Sequence, residues 1–144
     1  MKVRTILEAK GHHVETIKPD TPVVVAVHRL TALGIGALVV SADGQRPQGT
    51  LSERDVVRGL ARHGAAVLEM PVRDVMSSGG PVCSPEDTLK RVMAEMTDTR
   101  HRHLPVVEGD RLVGIVSIGD IVKNRLEEMD LEAKVLRDAY IRNR

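Results

Sequence analysis

Apolar residues change their spacing in a fixed order along this chain, and the order is run through twice. Val14 to Ile17 and Val82-Cys83 are short apolar runs, each followed by a proline two residues on, which ends a strand. From about Pro22 to Leu33, Val23, Ala26, Val27 and Leu30 fall at helical spacing, as do Leu89, Val92, Met93 and Met96 between about Glu86 and Met96. Ala37 to Val40 and Leu104 to Val107 then read as strands. Turn residues follow at Ala42-Asp43-Gly44 and Glu108-Gly109-Asp110, leading to another strand and another helix. Each half is thus predicted to be β-α-β-β-α with a short helix in front.

The residues themselves repeat in the same order. Val3-Arg4-Thr5-Ile6-Leu7 returns as Val72-Arg73-Asp74-Val75-Met76 at an offset of 69, and Lys18-Pro19-Asp20 as Ser84-Pro85-Glu86 at 66. Ile35-Gly36-Ala37-Leu38-Val39-Val40 aligns with Arg102-His103-Leu104-Pro105-Val106-Val107 at 67. Gly49-Thr50-Leu51-Ser52-Glu53-Arg54-Asp55 aligns with Gly114-Ile115-Val116-Ser117-Ile118-Gly119-Asp120 at 65. Offsets that drift by a few residues mark a duplication whose loops have taken insertions. A unit of about 60 residues with a three-stranded sheet and helices on one side is marginal alone, so the two should pack face to face with pseudo-twofold symmetry as an α/β (α+β) fold. Residues 1–64 are assigned to the first repeat with its leading helix, 65–81 to a link with a short helix, and 82–144 to the second repeat with an extended C-terminal helix.

Composition narrows what such a pair can do. Apolar residues make up 42% of the chain, yet there is no Phe, no Trp and one tyrosine, Tyr140, so the core must be built from aliphatic residues and Met. Twenty-one Lys and Arg against 20 Asp and Glu leave no field to steer the chain toward nucleic acid, and single-stranded nucleic acids would find no aromatic platform. The first twenty residues are too interrupted by charge for a signal peptide, and no run approaches the roughly 18 apolar residues of a spanning helix. A cytoplasmic protein with no membrane partner is expected. Cys83 is the one cysteine and has no neighbouring base to activate it, and the carboxylates form no pair suited to acid–base catalysis. His101 and His103 lack further ligands of suitable spacing for a metal. These features point away from an enzyme and from a metal site.

Ser52 with Asp55, and Ser117 with Asp120, each open a helix just after a strand. A helix start offers unpaired N–H groups and a positive dipole end to a phosphate, the serine hydroxyl adds a donor, and a carboxylate can accept from paired ribose hydroxyls. The same spacing also makes a capping box, which stabilises a helix by ~1 kcal/mol and needs no ligand.

With the strand-Pro-helix opening, the Arg102 to Val107 segment and the Gly-apolar-x-Ser-x-x-Asp element in both copies, the chain resembles tandem cystathionine-β-synthase (CBS) repeats, or a Bateman module, over nearly its whole length. The resemblance implies a regulatory module that binds AMP, ADP, ATP, NAD or S-adenosylmethionine between its repeats, forms homodimers and signals to a separate regulated protein. It further implies that Arg102 and His103 complete a phosphate site with Ser117 and Asp120, whereas the other copy has Gly36 and Ala37 there, partly offset by Arg54. Adenine would lie against Val14 to Thr16 in the Asp120 cleft and against Val82 and Cys83 in the Asp55 cleft. The Asp120 cleft is therefore expected to bind more tightly. The alternative is a scaffold that dimerises and docks without a ligand. Along the last helix, from about Ser117 to Tyr140, Val122, Leu126, Met129, Ala133, Leu136 and Tyr140 recur at intervals of 4, 3, 4, 3 and 4, a stripe for a partner subunit or for the leading helix.

Overall fold

A computed structural model describes residues 1–143 and shows a mixed α+β fold. The first repeat runs β1 (Thr16–Ile17), α2 (Val23–Leu33), β2 (Ala37–Val40), β3 (Gly49–Ser52) and α3 (Glu53–His63), after a leading α1 (Val3–Lys10). Two 3-10 turns, Gly64–Glu69 and Val72–Asp74, and the short β4 (Ser77–Ser78) connect it to the second. There α4 (Leu89–Thr99), β5 (His103–Glu108), β6 (Arg111–Ser117) and α5 (Ile118–Arg142) follow.

The sheets depart from the expected three strands each. The first has four, in the order β1-β2-β3-β4, because the link contributes Ser77 and Ser78 to the free edge of β3. The second has two, β5 and β6, with Cys83 joined to Val106 by a single parallel bridge in place of a strand. Cys83 still donates its N–H to the Pro105 carbonyl at 2.9 Å and accepts from Val107 at 2.8 Å. Prolines at 81 and 85 confine it to one residue of pairing. The bridges also correct the alignment: Ile17 opposes Val40 as Cys83 opposes Val106, so the central strands correspond at an offset of 66, one residue from the sequence alignment.

Each repeat has its own core, and each core is closed by the segment that precedes the other repeat. Ile17, Val23, Ala26, Leu30, Leu38, Val40 and Leu51 pack with Val72 of the link. Val3, Ile6 and Leu7 of α1, assigned by chain order to the first repeat, lie in the core of the second with Cys83, Leu89, Leu104, Val116 and Ile121. Full burial of such side chains contributes about 1.5–3 kcal/mol each, so neither core is complete without its borrowed segment.

The hydrogen bonds that hold the two closures are copies of one another. Val3 N donates to Asp87 O at 2.9 Å and Arg4 N to Pro85 O at 2.9 Å; Val72 N donates to Thr21 O at 2.8 Å and Arg73 N to Pro19 O at 2.9 Å. Leu89 N reaches Met1 O at 3.2 Å, and Val23 N reaches Met70 O at 2.9 Å.

This crossing explains the glycine at the head of each Gly-apolar-x-Ser-x-x-Asp element. A Cβ on Gly114 would stand 2.6 Å from Leu7 Cδ2, and one on Gly49 would stand 2.2 Å from the Ser77 carbonyl oxygen. Both glycines keep a sheet position clear for the incoming closing segment.

Both predicted helix starts are capping boxes. Ser52 accepts from Asp55 N while Asp55 accepts from Ser52 N, and Ser117 and Asp120 do the same for α5. Beyond Ile121, α5 leaves its apolar stripe open, with Leu126 61%, Leu136 72% and Tyr140 69% exposed. The outer part of the helix is therefore not packed on the leading helix.

Candidate functional site

Between the repeats lies a cleft of about 790 Å³, large enough for a nucleotide. One wall is the start of α3, with Ser52, Arg54, Asp55 and Arg58; a second is the link from Ser77 to Pro81; a third is the turn from Thr99 to His103 that leads from α4 into β5. Arg54, Arg58, Arg100 and Arg102 line it against the carboxylates of Glu53 and Asp55. Among the described residues none of the four arginines has an ion-pair or side-chain hydrogen-bond partner. Unpaired guanidinium groups beside a helix N-terminus make this an anion-attracting cleft.

Asp55 is 6% exposed and takes three donors: Ser52 N at 2.8 Å and Ser52 Oγ at 3.0 Å on Oδ2, and Ser77 Oγ at 2.8 Å on Oδ1. A carboxylate has about four acceptor positions, so one remains at the cleft, and a second opens if the Ser77 hydroxyl turns away.

The structure regroups the residues expected to act together. Arg102 and His103 line the cleft of Ser52, Arg54 and Asp55, rather than a common cleft with Ser117 and Asp120. Only the backbone of Arg102 joins the other side, its carbonyl accepting from Ile118 N at 2.8 Å. His103 fits there because residue 36 is glycine: a Cβ on Gly36 would lie 3.0 Å from its ring. Burial lowers the pKa of the His103 imidazole, against the opposing pull of Glu53 and Asp120, and favours its neutral form.

Val82 reaches the edge of this site, lining a small hollow that shares Gly79, Gly80, Pro81, His101 and His103 with the main cleft. Cys83 does not wall it. Its side chain is 4% exposed in the second core, and burial, with Asp87 nearby, pushes the thiol up to about 12. Thr16 lines a separate hollow with Lys18, Arg29 and Ser41, its carbonyl accepting from Arg29 Nη1 at 2.7 Å, and Val14 is half-buried just before it.

Asp120 meets a different neighbour. Lys10, the last residue of α1, places Nζ 2.7 Å from Asp120 Oδ2 and 3.0 Å from the Ile115 carbonyl. Burial acts to raise the Asp120 pKa, but the Lys10 ammonium and the Ser117 N–H outweigh it and hold the carboxyl below its ordinary range.

Arg58, Arg100 and the Ser77 to Pro81 wall were not singled out from sequence as parts of a ligand site, and His101 was weighed there only as a metal ligand. Arg100 carried a signal: it ends α4 in the left-handed conformation, φ 58°, where α2 ends in Gly34 at φ 63°. A long basic side chain at a position that favours glycine costs of order 1 kcal/mol, and here it brings a charge to the cleft. The described residues contain no group of three or more His, Cys, Asp or Glu able to hold a metal, and no described helix is long and apolar enough to cross a membrane.

Comparison with known proteins places this geometry in context. The profile of the CBS domain matches residues 7–62 and 72–127. The chain is 36% identical over 126 residues to the CBS domain-containing protein CBSX3, mitochondrial, of Arabidopsis thaliana, covering 85% of this chain and 61% of that relative. It is 32% identical over 117 residues to the CBS domain-containing protein YhcV of Bacillus subtilis, covering 78% of this chain and 79% of that one. Among solved structures, a CBS-domain containing protein of Agrobacterium tumefaciens superposes with a TM-score of 0.82 at 42% identity, over 86% of this chain and 92% of that one. The CBS domain pair of protein MJ0100, in complex with 5'-methylthioadenosine and S-adenosyl-L-methionine, superposes with a TM-score of 0.77 at 19% identity, over 89% and 98% of the two chains.

Proposed function

Because the chain belongs to the CBS domain family, with two CBS domains in tandem, we propose that it is a regulatory module whose cleft at Ser52 and Asp55 takes an adenosine-containing ligand that bears phosphate. A CBS pair is a regulatory module, and no catalytic step is assigned to this one. The observation that carries the reading is the 790 Å³ cleft in which four unpaired arginines converge on a capped helix start. AMP, ATP or NAD suits that charge better than S-adenosylmethionine, whose sulfonium would face the same guanidinium groups. The MJ0100 pair, of the same fold, holds adenosine compounds. Ligand occupancy then shifts the pair between two shapes by its differential affinity, which a regulated partner reads.

Circular dichroism melts with each candidate test this, since the chain has no Trp. A ligand at 100 times its dissociation constant should stabilise the fold by about 2.7 kcal/mol. If Asp55 accepts a ribose hydroxyl, 2'-deoxy-AMP should bind about tenfold more weakly than AMP, and Asp55→Asn, whose amide oxygen can still accept from Ser52 N and whose amide nitrogen can donate to Ser77 Oγ, should lose that discrimination while still folding. Equal binding of AMP and its deoxy form would remove the ribose from Asp55. Melts unmoved by any adenosine ligand would favour a ligand-free docking scaffold.

We further propose a homodimer joined through the exposed face of α5. Sedimentation at micromolar concentration should give twice the chain mass, and truncation after Arg125 should weaken assembly. A monomer throughout that range would exclude it.

A further inference from the structure

Four arginines line the Asp55 cleft against two carboxylates, Glu53 and Asp55, so the empty cleft carries an excess of two positive charges before its imidazoles are counted. A phosphate monoester brings about −1.5 to −2 at neutral pH, enough to cancel that excess. Any group in the cleft that titrates near neutrality must feel the change.

His103 is placed to do so. It is half-buried at the start of β5, and among the described residues its ring has no hydrogen-bond or ion-pair partner. Gly36 opposite leaves room for the ring: the point a Cβ would occupy there is 3.0 Å from His103 Cε1, 3.3 Å from Nε2 and 3.6 Å from Glu53 Oε1. Charged groups reach the imidazole from several elements. Glu53 on α3 and Asp120 on α5 favour its proton, whereas Lys10 on α1 and Arg102 beside it in the chain oppose it. Arg54, Asp55 and Arg58 on α3, with Arg100 and His101 after α4, share the cleft. Burial is the largest influence and holds the imidazole below its ordinary range while the cleft is empty. A phosphate seated among the arginines would offset their repulsion and give a ring N–H an acceptor, and both effects favour the imidazolium.

Resting on the nucleotide reading of the Asp55 cleft, we propose that His103 takes up a proton when the phosphate of the ligand enters, so that one side chain couples occupancy of the cleft to pH. A ring that is held low when free and raised when bound tightens binding as pH falls through the window between those two states. Below that window both forms carry the proton, and the gain levels off. The second ionisation of the phosphate itself, at about pH 6, acts in the opposite direction.

Calorimetry of AMP and ATP in two buffers of different ionisation enthalpy counts the protons exchanged by the full chain, by His103→Gln and by His101→Gln. Comparing the full chain with each variant removes the titration of the ligand. The full chain should take up more protons than His103→Gln, and its affinity relative to that variant should rise by about threefold or more between about pH 8 and about pH 6. Equal proton counts in these two, or an uptake lost only in His101→Gln, would overturn the proposal. A second measurement needs no variant to fold: histidine-ring NMR of the full chain should show the His103 titration moving up with AMP, and also with inorganic sulfate, which exchanges no proton in this range. A titration unmoved by bound AMP would overturn the coupling and leave the nucleotide reading in place. If sulfate raises it while neither AMP nor ATP binds, the coupling stands and the adenosine reading falls. If no anion binds, both fall.

Discussion

Leu7→Ala should lower the free energy of unfolding by about 2–5 kcal/mol, the range for removing a buried leucine, and Gly114→Ala placed in the same chain should recover part of the loss. Leu7 is 1% exposed and its Cδ2 would stand 2.6 Å from a Cβ on Gly114. Alone, Gly114→Ala forces that methyl aside and should cost about 1–3 kcal/mol. Together, the new methyl enters the space the leucine has left, so the two effects should fall short of additivity by about 0.5–3 kcal/mol. Urea unfolding of the four chains, followed by circular dichroism, measures the coupling. Strict additivity would mean that α1 does not close the second core in solution.

Gly49→Ala should be worse than Gly114→Ala and beyond rescue. The Cβ would meet a backbone oxygen, Ser77 O, at 2.2 Å, and no substitution at residue 77 can trim a carbonyl. Overpacking against a flexible side chain costs about 1–3 kcal/mol, and against main chain we expect about 3 kcal/mol or more. The strain can be relieved only by lifting β4 from β3, which also withdraws Ser77 Oγ from Asp55 Oδ1. The variant should therefore lose stability and respond differently to nucleotide. A loss below about 1 kcal/mol, with ligand response intact, would show that β4 is not held as described.

Periodicity and local chemistry were enough to read the repeats, the order of their elements and both capping boxes. The partners of each segment were not legible in the same way. Val3 to Leu7 and Val72 to Met76 announce themselves as copies, but nothing in their pattern says that each belongs to the core of the opposite repeat, because an apolar helix face fits either. The one-residue error between the central strands has a related cause. β2 is buried along its whole length and β5 over Leu104, Pro105 and Val106, so a continuous buried run offers no alternation to fix its register. Arg102 was grouped with Asp120 because the family resemblance implied a phosphate site within one repeat, whereas the cleft it lines is composed across the repeats. The union of Lys10 with Asp120 spans 110 residues of sequence and carries no local mark at all.

The crossed closures also set an order on manufacture. When the ribosome has delivered the link, Val72 can complete the first core at once, since its docking site is already made. The opposite holds for α1, which emerges before either repeat. Its apolar face must wait until Ile121 has been added, and at about 5–20 residues per second that delay is on the order of ten seconds. Throughout it, Val3, Ile6 and Leu7 have no core to enter. The segment made before both repeats is the one that docks last, and it is there that a nascent copy is most open to chaperones and to mispairing with its neighbours on the same message.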